Sequence, residues 1–305
     1  MIAGIDIGGT TSKIGLVQDG RVLQQTRIPT TGHADDHAFA DALAAAVLGL
    51  LKDGGQGDLR AVGIGAPNAN QFTGIIEMAP NLPWKHDVPL ARMMQDRLGV
   101  PAVLGNDANA AALGEWRYGA GQGFDDLLVV TIGTGVGSGF IVNGKLVLGS
   151  AGNAGELGHM TMAIDGRSCT CGRKGCLETY VSIRGMRQTY AELADDLAVL
   201  KQDGVKCIAD AAHQGDTAAI RTFEETVRWL AVGLANAVAV TGPRRVVLFG
   251  GIVRSGDLLL APLKKRFHEA LLNIYQGRVD LTVSALPDDD AALLGAAALT
   301  TLDIT

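Results

Sequence analysis

Residues 6–23 read DIGGTTSKIGLVQDGRVL, and residues 131–147 read TIGTGVGSGFIVNGKLV. In both stretches an apolar run ends in a glycine-rich turn and a second strand-like run follows. An Asp-Gly or Asn-Gly pair then leads into a third run, which is the sequence signature of a tight hairpin. Gly15–Leu23 aligns with Gly139–Val147, and the DIGGT and TIGTG loops ahead of them stand at nearly matching positions. An internal repeat on this scale predicts two structurally related domains. Ligands commonly bind between such domains.

Working outward, strands are expected at IAGIDI, SKIGLV and RVLQQTRI, with QDG turning between the last two. A helix follows, with Phe39, Leu43, Val47 and Leu51 on one face. LRAVGIGAP reads as a buried strand, Leu90, Met94 and Leu98 as a helix face, and PAVLG as another strand. The β-β-β-α-β-α-β order implies a mixed sheet with helices on its faces. Later, Ile220, Phe223, Val227, Leu230, Leu234 and Val238 mark a long amphipathic helix, followed by the strand RRVVLFGG. DDDAALLGAAALTTL reads as a C-terminal helix whose aspartates are candidate N-caps.

A chain of 305 residues is long for one hydrophobic core. At 47% hydrophobic and 19% charged, its composition is that of a globular protein. The net charge of −6, without a Lys/Arg cluster, argues against nucleic acid as a partner. The opening MIAGIDIGGTT lacks the regions of a secretory signal, and no uncharged apolar run reaches the length of a membrane span. The expected location is cytoplasmic, where thiols stay reduced.

The first loop, Asp6–Thr11, can turn backbone N–H groups toward phosphate oxygens at Gly8 and Gly9, with hydroxyl donors from Thr10 and Thr11. Asp6 suits a Mg²⁺ held through water, and Lys13 on the next strand joins the nucleotide-binding set. A plain hairpin is the competing reading. The second loop repeats the design at Gly133, Thr134 and Gly135, and Gly250-Gly251 after a strand is a third element near a nucleotide. None of these is a P-loop, and a strand rather than a helix follows the second loop, unlike a Rossmann turn. Paired phosphate loops on a repeated β-β-β unit give the expected fold. It is an α/β chain with two related domains of the actin/hexokinase-like ATPase (ribonuclease H-like) class and an inter-domain cleft. The expected domains are 1–107 plus about 289–305, and 108–288, the second carrying a zinc-binding segment.

On the acceptor side, Asn106 and Asp107 end a strand before an Ala-rich helix. Asp107 reads either as that helix's N-cap or as a general base for an attacking alcohol. Asn81, in the Pro-bracketed PNLPW (80–84), offers an amide donor and acceptor to a sugar hydroxyl. His159 precedes Cys169 by ten residues, and Cys171 and Cys176 follow. One His and three Cys make a tetrahedral zinc set; the competing reading is buried reduced thiols. Cys207 reads as a packing residue.

Together these residues resemble the ROK family of sugar kinases, most closely its bacterial glucokinases. GELGHM (155–160) and CTCGRKGCLE (169–178) fill every named position of the family signature. The resemblance implies MgATP as phosphoryl donor, a hexose acceptor phosphorylated at its 6-hydroxyl, structural zinc and a homodimer or tetramer. It assigns Asp107 as catalytic base. Gly65, Asn81, Asn106, Asp107, Glu156, His159 and Glu178 are assigned to the sugar, and His159, Cys169, Cys171 and Cys176 to zinc. Glucose is the expected substrate, while fructose, mannose or an N-acetylhexosamine stays open, as does polyphosphate as donor. A sugar sensor without catalysis is the alternative of a different class. Some ROK proteins are repressors with a DNA-binding segment ahead of this domain; with DIGGT at residue 6, that reading is not expected here.

Overall fold

The computed structural model describes residues 1–54, 57–79 and 81–301. Pro80 of PNLPW and Leu302 at the end of the expected last helix lie outside the described residues. In chain order the elements are β1 (Ile2–Ile7), β2 (Thr11–Gln18), β3 (Arg21–Pro29), α1 (Asp36–Gly54), β4 (Ala61–Ala66), β5 (Ala69–Asn70), β6 (Ile75–Ile76), α2 (Leu90–Leu98), β7 (Ala102–Asn106) and α3 (Asp107–Tyr118). They continue with β8 (Leu127–Ile132), β9 (Val136–Val142), β10 (Lys145–Leu146), α4 (Glu178–Val181), α5 (Ile183–Leu193), α6 (Lys206–His213) and α7 (Thr217–Thr241). The last are β11 (Arg245–Phe249), α8 (Leu260–Ala270), β12 (Asp280–Val283) and α9 (Asp288–Ala298).

The repeat predicted from sequence is visible in the strand orders. One sheet runs β3-β2-β1-β4-β7 and the other β10-β9-β8-β11-β12, the same pattern of third, second, first, fourth and fifth strand. β2 lies antiparallel to β1 and β3, and β4 parallel to β1 and β7. The two hairpin turns agree in detail. Asp19 and Gly20 have φ of 51° and 73°, and Asn143 and Gly144 have 51° and 70°. Two successive residues with positive φ define the turn that matches strand twist, which is why Asp-Gly and Asn-Gly stand there.

The chain forms two compact units. The first comprises 1–125, 139–154 and 284–305; the second comprises 126–138 and 155–283. The sequence reading divides the chain at Asp107, whereas the contacts keep α3 in the first unit. The cause is α9, which both α3 and the first sheet grip through glycine. A Cβ on Gly114 of α3 would lie 2.9 Å from the Gly295 Cα of α9. Cβ atoms on Gly4 and Gly63 would overlap the Leu293 and Ala296 carbonyl oxygens.

In the first unit, Ile5, Ile14, Leu16, Phe39, Leu43, Ile64 and Met94 form one buried cluster. Trp84 joins it with its ring 4.8 Å from that of Phe39. In the second unit α7 buries Phe223, Val227, Leu230, Leu234 and Val238. Ile220, expected on that face, is exposed in the first turn. The expected third strand of the second repeat shrinks to Lys145–Leu146. The α9 cap position falls on Pro287, without a side-chain cap bond. Among the described residues no helix is long and apolar enough to cross a membrane.

Candidate functional site

The first glycine loop is tied down from below. Gly8 N–H donates to the Thr11 carbonyl at 3.2 Å, and Thr30 N–H to the Thr10 carbonyl at 2.9 Å. The Thr30 hydroxyl donates its one proton to the Gly8 carbonyl at 2.8 Å. Ser12 Oγ, 2.8 Å from Thr30 Oγ1, therefore donates to it. Ser12 and Thr30 are fully buried, while Thr10 and Thr11 face outward. Nothing local in the sequence marks Thr30, because its partners lie on the far side of a hairpin. Gly9 sits against the loop of Asn81: a Cβ there would lie 2.8 Å from the Asn81 carbonyl oxygen.

Asp6 and Lys13 are cross-strand partners on β1 and β2, and Gly65 pairs with Asp6 on the other side. Two strands on, β7 ends in Asn106, and α3 begins at Asp107. The N-cap of α3 is Asn106, whose side chain accepts the Ala108 and Asn109 N–H groups at 2.9 and 3.3 Å. Asp107 accepts backbone N–H groups from Ala108, at 2.8 Å, and from its own residue. The capping role left open for Asp107 thus belongs to Asn106. The Asp107 side chain reaches solvent but is ringed by protein, and this loss of surrounding water raises its pKa above the ordinary carboxylate range. Asp6 is pushed up to about 6 by burial and by the Asp107 charge, with Lys13 opposing.

In the second unit, Gly133 N–H closes the glycine loop on the Gly135 carbonyl at 2.9 Å. The loop is braced at both ends by the segment around α4. Ile183 N–H donates to the Gly133 carbonyl at 2.8 Å, and Val136 N–H donates to Glu178 Oε2 at 2.9 Å. The 3-10 turn Leu157–His159, which follows Glu156, stands on β9, since a Cβ on Gly158 would overlap the Val136 carbonyl. Buried Ser138 fixes it, donating to the Gly155 carbonyl and accepting Leu157 N–H at 3.2 Å. Ser138 is a positioning residue the sequence reading did not single out, although it lies within GTGVGSG. Gly250 has φ 118°, and a Cβ there would overlap the Ile132 carbonyl at the end of β8. Glycine is obligatory at that position, and Gly251 beside it faces open space.

His159, Cys169, Cys171 and Cys176 come together, one donor atom each, all within 4.8 Å of one another. His159 Nδ1 lies 3.6 Å from Cys169 Sγ, and Cys171 Sγ 3.7 Å from Cys176 Sγ. All the cysteines are free thiols. Bond lengths of about 2.0–2.3 Å in a tetrahedral zinc site put donor atoms roughly 3.5–3.8 Å apart, so the set fits a tetrahedral divalent cation. The electrostatics agree. Burial and the neighbouring Cys169 and Cys171 push Cys176 up to about 12. Burial opposes ionisation of Cys171 too, but the Arg173 backbone and the adjacent thiols hold it below the ordinary thiol range. Such a cluster sheds its protons together only when a cation compensates the charge. The other ring nitrogen, Nε2, points toward Glu156 Oε2 at 4.0 Å.

Every described residue expected at the site is thus placed. The first unit collects Asp6, Gly8, Gly9, Thr10, Thr11, Lys13, Gly65, Asn81, Asn106 and Asp107. The second collects Gly133, Thr134, Gly135, Glu156, His159, Glu178, Gly250, Gly251 and the three cysteines. Two sheets of one topology, each with a glycine loop between its first two strands, define the actin/hexokinase-like fold. Within it, the chain belongs to the ROK family, whose pattern matches residues 2–302. A glucokinase of Streptomyces coelicolor is 37% identical over 97% of this chain and 96% of its own. A crystal structure of a ROK family glucokinase from Streptomyces griseus in complex with glucose and AMPPNP has a TM-score of 0.81 at 37% identity, covering 98% of both chains. A ROK hexokinase from Thermus thermophilus has a TM-score of 0.82 at 33% identity, over 98% of this chain and 97% of its own.

Proposed function

We propose that this protein transfers the γ-phosphoryl group of ATP to the 6-hydroxyl of a hexose, glucose foremost. The observation that carries this reading is Asp107, a carboxylate relieved of capping by Asn106 and made more basic by its surroundings. As the sugar 6-oxygen attacks the γ-phosphorus, Asp107 takes the hydroxyl proton. The bond between the γ-phosphorus and the bridging oxygen breaks, and ADP leaves with that oxygen. Asp107 then returns its proton to water. Glucose is favoured over other hexoses by the likeness to glucokinases at 37% identity over nearly the full length.

Around that step the residues divide the work. Gly65, Asn81, Asn106, Glu156, His159 and Glu178 orient the sugar. The Asn106 Oδ1 is occupied by the helix, so its amide donates. Loop N–H groups and the Thr10 and Thr11 hydroxyls hold phosphate oxygens, with Lys13 adding positive charge. Asp6 would hold Mg²⁺, which supplies charge neutralisation at the phosphates. Its fit rests on the crowded pair of carboxylates at Asp6 and Asp107, which a cation relieves. His159, Cys169, Cys171 and Cys176 would hold zinc, which supplies structural rigidity. With His159 Nδ1 on the thiol side, Nε2 carries the proton and donates to a sugar hydroxyl. Free thiols and use of ATP support a cytoplasmic location; a homodimer completes the reading.

The deciding experiment is a coupled assay with ATP over glucose, fructose, mannose and N-acetylhexosamines, repeated with polyphosphate as donor. Glucose with ATP should give the highest kcat/KM. Binding of glucose without turnover of any hexose would make the protein a sugar sensor and overturn the reading.

A further inference from the structure

In each unit the phosphate loop touches a residue assigned to the sugar, and glycine is what permits the approach. In the first unit Gly9 meets the Asn81 carbonyl, 2.8 Å from where a Cβ would stand. In the second the contact is polar. Glu178 Oε2 accepts the Val136 N–H at 2.9 Å, and a Cβ on Gly135 would lie 2.5 Å from that same oxygen. The Gly133 end of the loop is held by Ile183 N–H, five residues beyond Glu178, so the whole loop rests on this helical segment.

We propose that Glu178 is shared between the two substrates: Oε2 braces the second phosphate loop while Oε1 remains for the sugar, and Gly135 is glycine to make room for it. This deepens the functional reading above and rests on Glu178 being a sugar ligand. The physical reason is the charge-assisted hydrogen bond. A carboxylate fixed by a backbone N–H presents its second oxygen in a set direction, and the N–H holds the loop in return. Displacing either partner disturbs the other, and a coupling in binding free energy acts equally in both directions. Gly135 is then a positioning residue for the sugar, and Glu178 a positioning residue for the phosphate loop. A loop glycine present only for phosphate has no reason to affect sugar binding in the absence of nucleotide.

The test is a pair of crossed titrations by calorimetry on the full chain. Glucose is titrated without nucleotide, and AMPPNP with Mg²⁺ without sugar. Gly135→Ala should weaken glucose by about threefold or more, because its Cβ pushes the carboxylate off the Val136 N–H. Glu178→Ala should weaken AMPPNP by about tenfold, the loss of one charge-assisted hydrogen bond. Glu178→Gln keeps an acceptor for Val136 and should retain most of the AMPPNP affinity. Unchanged glucose binding in a folded Gly135→Ala protein overturns the proposal. So does unchanged AMPPNP binding in Glu178→Ala, and that arm decides alone if Gly135→Ala does not fold. If Glu178→Ala weakens glucose but not AMPPNP, the shared role fails and the sugar-ligand reading stands. If Glu178→Ala leaves glucose binding intact, the sugar-ligand reading itself fails.

Discussion

Asn106 caps the helix that Asp107 begins, so the amide takes the cap and leaves the neighbouring carboxylate free of it. Asn106 accepts the Ala108 and Asn109 N–H groups, and Asp107 has one local bond to Ala108. Asp107→Asn keeps an oxygen for the Ala108 N–H but cannot take a proton. It should lower kcat by about 10²–10⁴, the usual contribution of a general base. The glucose Kd should stay near that of the unmodified protein, and the melting temperature should not fall, since the variant relieves the charge beside Asp6. Retained turnover would remove Asp107 from the mechanism.

Asn106→Ala should fail differently. Losing an N-cap costs about 1 kcal/mol of stability, and the amide donor to the sugar goes with it. Urea unfolding should show the stability loss, and a raised glucose KM should accompany it. A fall in kcat alone, with stability unchanged, would contradict the capping geometry.

The Asp6 carboxyl gives a pH prediction whose sign is fixed. Its folded pKa of about 6 exceeds its ordinary value of 3.8, so protonation favours the fold. That contribution is fully present below 3.8 and is lost as pH rises through about 6. Above that pH the unliganded protein carries two crowded carboxylates. Stabilisation by Mg²⁺ with AMPPNP should therefore grow as pH rises from 5 toward 7, read as a shift in melting temperature. Asp107→Asn removes the neighbouring charge and should lower the Asp6 pKa in a carboxyl-carbon NMR titration. An unmoved titration would mean that the two groups do not interact.

Zinc should be stoichiometric in purified protein by metal analysis. Cys171 is the exposed member of the His/Cys cluster, so Cys171→Ser removes a candidate donor with the least disturbance to packing. That variant should lose the metal, melt at lower temperature and bind glucose more weakly, since His159 is proposed for both the metal and the sugar. Full metal content in Cys171→Ser would exclude it as a ligand.

What the sequence made legible was what is local. The glycine loops, both hairpin turns and the cysteine spacing depend on neighbours in the chain, and each is legible in the sequence. The bond from Val136 to Glu178 spans 42 residues, and no local pattern announces it. Thr30 holds the first phosphate loop from across a hairpin, and threonine there looks like any strand end. Asn106 and Asp107 are both good caps by composition, so only the backbone geometry separates them. The placement of α3 depended on α9, which lies far along the chain.

That last dependence carries its own prediction. α9 lies directly on the backbone of β1 and β4, and a Cβ on Gly63 would overlap the Ala296 carbonyl oxygen. The obstacle is main chain on both sides, so relief requires moving a strand or a helix. Overpacking of this kind typically costs about 1–3 kcal/mol, and backbone against backbone belongs at the upper end. Gly63→Ala should therefore lower the urea midpoint with little change in the slope of the transition. Gly65, on the same strand, makes a clean control. A Cβ there would meet the Ala110 methyl at 3.4 Å, the Asp107 Cα at 3.8 Å and the Ile5 carbonyl oxygen at 3.9 Å, all ordinary contacts. Gly65→Ala should keep its stability and instead raise the KM for glucose, because the added methyl stands beside Asp107, the proposed base. If the two variants exchanged phenotypes, the packing of α9 and the place of Gly65 beside Asp107 would both be wrong.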